Sequence, residues 1–188
     1  MPHAARLWPE SNIHLVTATG NGRCRLFLDE ADRDLFLDLL DEVVVRFAWA
    51  LFAWCLLGNH VHHVVRAEPE ALHRGMQRLK GVYAMRFHRR HLTSGHLFKR
   101  PYDSRPILTD DHLHRSCGYT LRNPVRHGFV ERAEDWEWSS FRTSARLAPA
   151  PRRHLTCEPL DRLLQLDTAP DRHDVLRAYV GENGADPR

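Results

Sequence analysis

Every residue from Phe47 to Leu57 is apolar or aromatic, Gly58-Asn59 follows, and then comes His60-Val61-His62-His63-Val64-Val65. Two such runs joined by turn residues read as a β-hairpin whose second, β-branched strand carries histidines into the middle of a sheet. Side chains at i and i+2 of a strand share a face. His60 and His62 would therefore stand about 6 to 7 Å apart in Cα terms, at a rise of ~3.3 Å per residue. Both can then reach one metal ion. The plainer alternative is a pair of half-exposed polar residues on a solvent face, and the apolar neighbourhood weighs against it.

The rest of the chain arranges itself around that hairpin. Ile13 to Thr19 is β-branched and stops at Gly20-Asn21-Gly22, a strand closed by a turn. Asp29 to Val45 places Leu35, Phe36, Leu39, Leu40 and Val43 at helical spacing, with acids at the start where the helix dipole favours them. Hairpin strands over about 48–57 and 60–66 follow, then a helix from Pro69 to His91. Strand, helix, strand, strand, helix predicts an α+β fold of ferredoxin-like type. In it an antiparallel sheet carries helices on one face and is closed by a further strand near 96–98 or 102–107. Pro101 places that strand at an edge or bulge. Thr109 reads as the N-cap of a third helix to about Leu121, and Asn123-Pro124 as the opening of another short one. One domain over 1–147 is expected, with 148–188 as an appendage behind an Ala-Pro-Ala-Pro-Arg-Arg linker.

Charge is unevenly spread. Residues 1–73 hold six Arg and ten acids, whereas 74–105 hold nine Arg or Lys and the single acid Asp103. A solvated helix face usually mixes signs, so this block favours a polyanionic partner such as nucleic acid. Arginine supplies most of the charge and can fork onto phosphates. Cys24, Cys55, Cys117 and Cys157 form no CxxC pair and read as reduced, mostly buried thiols. With no apolar run near ~20 residues and no signal-like amino terminus, a cytoplasmic protein that does not enter membranes is expected.

On the second helix Leu72, Met76, Leu79, Tyr83 and Phe87 form one stripe, which taken alone makes Tyr83 a core aromatic. Gly75 and Gly81 interrupt that helix, and such glycines often mark close approach by another backbone or a ligand. Arg78, Lys80, Arg86, Arg89 and Arg90 surround Tyr83 in sequence. A phenol, ordinarily of pKa near ~10, attacks phosphorus well only when cations stabilise its phenolate and a metal polarises the phosphate. Tyr83 is the nucleophile on this reading.

CLLGNHVHHVV, RGMQRLKGVYAMRFHRRH, GHLFKRPY, and YTLRNPVRHGFV with DWEWSSF are similar, in that order, to the motifs of the HUH-type single-tyrosine transposases. The branch resembled is that of the REP-associated tyrosine transposases, over about 11–145. The resemblance implies that His60 and His62 bind Mg²⁺ or Mn²⁺ and that Tyr83 attacks single-stranded DNA presented as REP-like hairpins. It implies a 5′-phosphotyrosine link and a free 3′-hydroxyl. His88, where the family commonly has Asn, is proposed as third metal ligand, while Tyr102 and Tyr119 are read as structural. Arg78, Lys80, Arg86, Arg89, Arg90, Lys99, Arg100, Arg105, Asn123 and Arg126 are the expected DNA contacts; Trp136, Trp138 or Phe98 would offer stacking surfaces, core packing being the first reading of the two tryptophans. The rival functions are a metal nuclease that activates water and a non-catalytic hairpin-binding module. A monomer is expected.

Overall fold

The computed structural model describes residues 12–99 and 101–184. Strand β1 (Ile13–Thr19) leads to helix α1 (Glu30–Arg46), strands β2 (Ala50–Leu56) and β3 (His60–Arg66), helix α2 (Pro69–His91), edge strand β4 (Asp103–Pro106) and helix α3 (Asp110–Arg126). The four strands form one antiparallel sheet in the order β2-β3-β1-β4. This is the expected ferredoxin-like α+β fold. β3 pairs on both sides, with β1 and with β2, as its β-branched composition requires.

Local chemistry sets the element ends. Asp29 caps α1, its carboxylate accepting from the Asp32 amide, and Thr109 caps α3 by accepting from His112. The expected helix opening at Asn123-Pro124 is corrected: α3 continues through both residues to Arg126. Pro124 lies in the last turn, where a missing amide costs little continuity. Its buried ring joins the face that Leu113, Cys117 and Leu121 present to the sheet.

Helices on one face only is likewise corrected. Val16, Ala18, Val61 and Val65 point toward α1 and α2, whereas Leu15, Val64 and Ile107 point toward α3. Strand alternation divides each strand between two cores. The carboxy-terminal segment completes the second of them. After α4 (Phe141–Ser144), helices α5 (Glu158–Leu163) and α6 (Arg172–Asn183) bury Leu160, Leu163, Leu176 and Val180 in that cluster. Tyr179 donates to the His114 carbonyl at 2.7 Å. In the stretch expected as an appendage, α6 packs on α3, α5 packs on β2, and Leu155 and Cys157 join the core on the α1 and α2 side.

All four cysteines are free; Cys55, Cys117 and Cys157 are buried and Cys24 is exposed. Among the described residues no helix is long and apolar enough to cross a membrane. On α2, Gly75 is explained by packing, since a Cβ there would stand 2.4 Å from the Trp49 ring. Gly75→Ala is expected to lower stability by about 1–3 kcal/mol despite alanine's better helix propensity. Urea unfolding would read this as a lower midpoint at unchanged slope.

Candidate active site

His60 and His62 project from β3 on the face that α3 covers, and their rings lie 4.9 Å apart, edge to face. Two residues from α3 and its C-cap meet them. Tyr119 sits 5.4 Å from the His62 ring and His127, just beyond the helix end, sits 5.1 Å from the His60 ring. Asn123 lies midway on the same stripe. Thr17, Thr19, Arg23, Asp103 and Arg105 line the rest of a cleft of about 610 Å³.

Both imidazoles are held by their Nδ1 atoms. His60 Nδ1 donates to Asn59 Oδ1 at 2.7 Å, which leaves Nε2 with a lone pair. His62 Nδ1 lies 3.0 Å from Thr17 Oγ1, and its buried Nε2 has no hydrogen-bond partner among the described residues. Burial, and then the nearby His127, lowers the His60 pKa to about 4; burial, and then His60, holds His62 well below its ordinary value. Neutral rings with outer nitrogens fixed and inner nitrogens open suit metal ligation. Asn123 adds an oxygen. Its Nδ2 donates to the Tyr119 carbonyl at 3.0 Å, leaving Oδ1 buried and, among the described residues, unpartnered. Among the described residues no group of three or more His, Cys, Asp or Glu is placed to hold a metal. Two imidazoles plus an amide oxygen nevertheless make a donor set that fits a divalent ion and leaves coordination positions open.

The structure does not bring Tyr83 or His88 to this cleft. Tyr83 is fully buried on the opposite side of the sheet among Phe27, Phe36, Phe87 and Phe98, with its hydroxyl donating to the Leu26 carbonyl at 2.5 Å. Burial, and then the nearby Asp32 carboxylate, raises its pKa, the wrong direction for a nucleophile. His88 closes the end of α2, its Nδ1 2.8 Å from Thr93 Oγ1 and its Nε2 3.1 Å from the Gly95 carbonyl. Both assignments are corrected for one reason: α2 packs on the Val61 and Val65 face, and His60 and His62 occupy the other.

The expected DNA contacts divide in the same way. Arg78 pairs with Glu42, and Arg90 with Asp29 and Asp32. Lys80 lies over the Phe98 and Tyr102 rings, and Arg86, Arg89 and Lys99 are exposed on the α2 side. Arg100 lies outside the described residues. Arg105 and Arg126 belong to the α3 side: Arg105 lines the cleft, and the Arg126 guanidinium lies 4.9 Å from the Tyr119 ring centroid. Asn123, an expected DNA contact, is fully buried on α3, between Tyr119 and His127 in the chain. Sequence reasoning took Tyr119 as structural and passed over His127, although Tyr119, Asn123 and His127 fall at i, i+4 and i+8, one helix stripe.

A family model described as transposase, IS200-like, matches residues 9–119. No curated protein matches the chain. Among solved structures, the REP-associated tyrosine transposase bound to a REP hairpin aligns at a TM-score of 0.62 and 17% identity, covering 81% of this chain and 89% of that one. A candidate transposase from Deinococcus radiodurans aligns at a TM-score of 0.45 and 19% identity, covering 67% and 94%. At these identities the likeness is one of fold.

Proposed function

We propose, for a chain that belongs to the IS200-like transposase family, that the cleft between β3 and α3 is the active site of a DNA strand transferase with Tyr119 as nucleophile. The observation that carries this reading is the convergence of Tyr119 on the histidine pair, at 5.4 Å from the His62 ring, within a cleft that also holds cations. His60, His62 and Asn123 would hold the ion, Mg²⁺ or Mn²⁺. Such an ion polarises a phosphate and offsets the charge that builds on it.

The chain's own groups do the rest. Arg126 sets its guanidinium 4.9 Å from the Tyr119 ring centroid, within reach of a phosphate brought to the phenol. Arg23 and Arg105 line the cleft where backbone phosphates would lie. Asn59 and Thr17 keep the two imidazoles in one orientation. Attack by Tyr119 exchanges one phosphate ester for another, giving a 5′-phosphotyrosine and a free 3′-hydroxyl. The ester bond is conserved, so rejoining needs no nucleotide cofactor. Single-stranded DNA presented by hairpins of REP type is the proposed substrate, and the REP hairpin held by the structural neighbour supports it.

Incubating the protein with a hairpin-bearing single strand and Mn²⁺ is expected to give a covalent adduct on a denaturing gel, and EDTA is expected to prevent it. Cleavage without adduct would favour the nuclease that activates water. Tight binding without cleavage would favour a binding module.

A further inference from the structure

We propose that His127, Phe129 and Trp136 form a stacking track for the unpaired bases of the strand that departs with the 3′-hydroxyl. This rests on the reading of Tyr119 as nucleophile. Tyr119 meets His62 and His127 meets His60. Eight residues separate the two on α3, about 12 Å along the axis at ~1.5 Å per residue. They therefore stand at opposite ends of the histidine pair.

Displacement at phosphorus is in line, with attacking and leaving oxygens on opposite sides. A phenol oxygen entering from the Tyr119 end leaves the P–O3′ bond directed toward His127. As the tyrosyl P–O bond forms and the P–O3′ bond breaks, the phenol proton passes to water and the departing 3′ oxygen takes one from water, so atoms and charge balance. The nucleotides attached to that oxygen leave the cleft on the His127 side.

Aromatic rings continue in that direction. Phe129 lies 6.3 Å from the His127 ring, tilted by 39°, and Trp136 stacks on Phe129 at 5.3 Å and 30°. The first gap approaches twice the ~3.4 Å step of stacked bases. Trp136 is pinned by donating from Nε1 to the Leu56 carbonyl at 3.1 Å. Of the phenylalanines only Phe129 is exposed, at 49%. A single exposed apolar residue is ordinary on a protein surface. This one continues a line of rings that begins at the histidine pair. Base faces stack on such rings whatever their sequence, and holding the cleaved flank there keeps its 3′-hydroxyl beside the phosphotyrosine for rejoining.

The test uses the full chain and hairpin oligonucleotides with zero, two, four or six unpaired nucleotides on either side of the mapped cleavage position, with 2-aminopurine in the extension. In the wild type, extension on the 3′-hydroxyl side should tighten binding and quench 2-aminopurine. Phe129→Ala should remove about tenfold of that gain and relieve the quenching, and Phe129→Trp should restore both. An equal gain in Phe129→Ala and wild type overturns the track even where the adduct forms. A gain confined to the adduct-bearing side overturns the choice of strand. A wild type that binds extensions and forms no adduct overturns the Tyr119 reading, and the assignment to a leaving strand with it.

Discussion

Tyr119→Phe is expected to abolish the covalent protein–DNA adduct, a loss of about three orders of magnitude or more, because among the described residues Tyr119 is the one phenol that lines the histidine cleft. The ring and its packing against His62 and Arg126 remain, so folding and DNA binding should survive. Tyr83→Phe should retain the adduct. What it loses is the buried hydrogen bond to the Leu26 carbonyl, about 1 kcal/mol, seen as a melting temperature lower by a few degrees. Denaturing gels and thermal melts on the two variants read both effects. An adduct that persists in Tyr119→Phe and vanishes in Tyr83→Phe would return the chemistry to α2.

The second large effect is on stability in acid and comes from His63. Its ring is fully buried, stacks on Phe36 at 6.2 Å, and has no hydrogen-bond partner at either nitrogen among the described residues. Burial lowers its pKa to about 4. Below pH ~6.5 the unfolded chain takes up a proton that the folded chain refuses, so stability falls as pH falls. The loss ends near pH 4, where the folded state also binds the proton, and amounts to about 3 kcal/mol at ~1.4 kcal/mol per pH unit. Above pH 6.5 the ring is neutral in both states and contributes no pH dependence. His63→Leu, similar in volume, should give a shallower decline between pH 6.5 and 4, with the two stabilities diverging toward acid. Urea unfolding at pH 7, 5.5 and 4.5 measures this, and parallel curves would contradict it. His60 and His62 shift in the same direction, so the variant's curve should flatten only in part.

The sheet was legible because its signals are local. Gly58-Asn59 fixed the hairpin, Asp29 and Thr109 marked helix starts, and an alternating strand put His60 and His62 on one face. The partner of that face was not local information. Periodicity shows that α2 has an apolar stripe bearing Tyr83, but not which side of a two-sided sheet the stripe covers, and the basic residues near Tyr83 drew the sequence reading to a helix on the side of the sheet away from the histidines. Arg78 and Arg90 are largely committed to Glu42, Asp29 and Asp32 on α1, pairs that only the fold brings together. Asn123 escaped for a related reason: Asn-Pro is a frequent helix start, and tertiary packing of α3 overrode it. The tail's leucines are too sparse to announce a helix pair alone, and they acquire a core only when α3 supplies the opposite surface.

The central claim is that DNA chemistry belongs to the α3 face of the sheet. Its most direct measurement is mass spectrometry of the adduct after nuclease and trypsin digestion. Trypsin separates Tyr119 into the peptide 116–122 and Tyr83 into the peptide 81–86. A phosphonucleotide mass on 116–122, with 81–86 unmodified, is the expected result. The same mass on 81–86 would contradict the account.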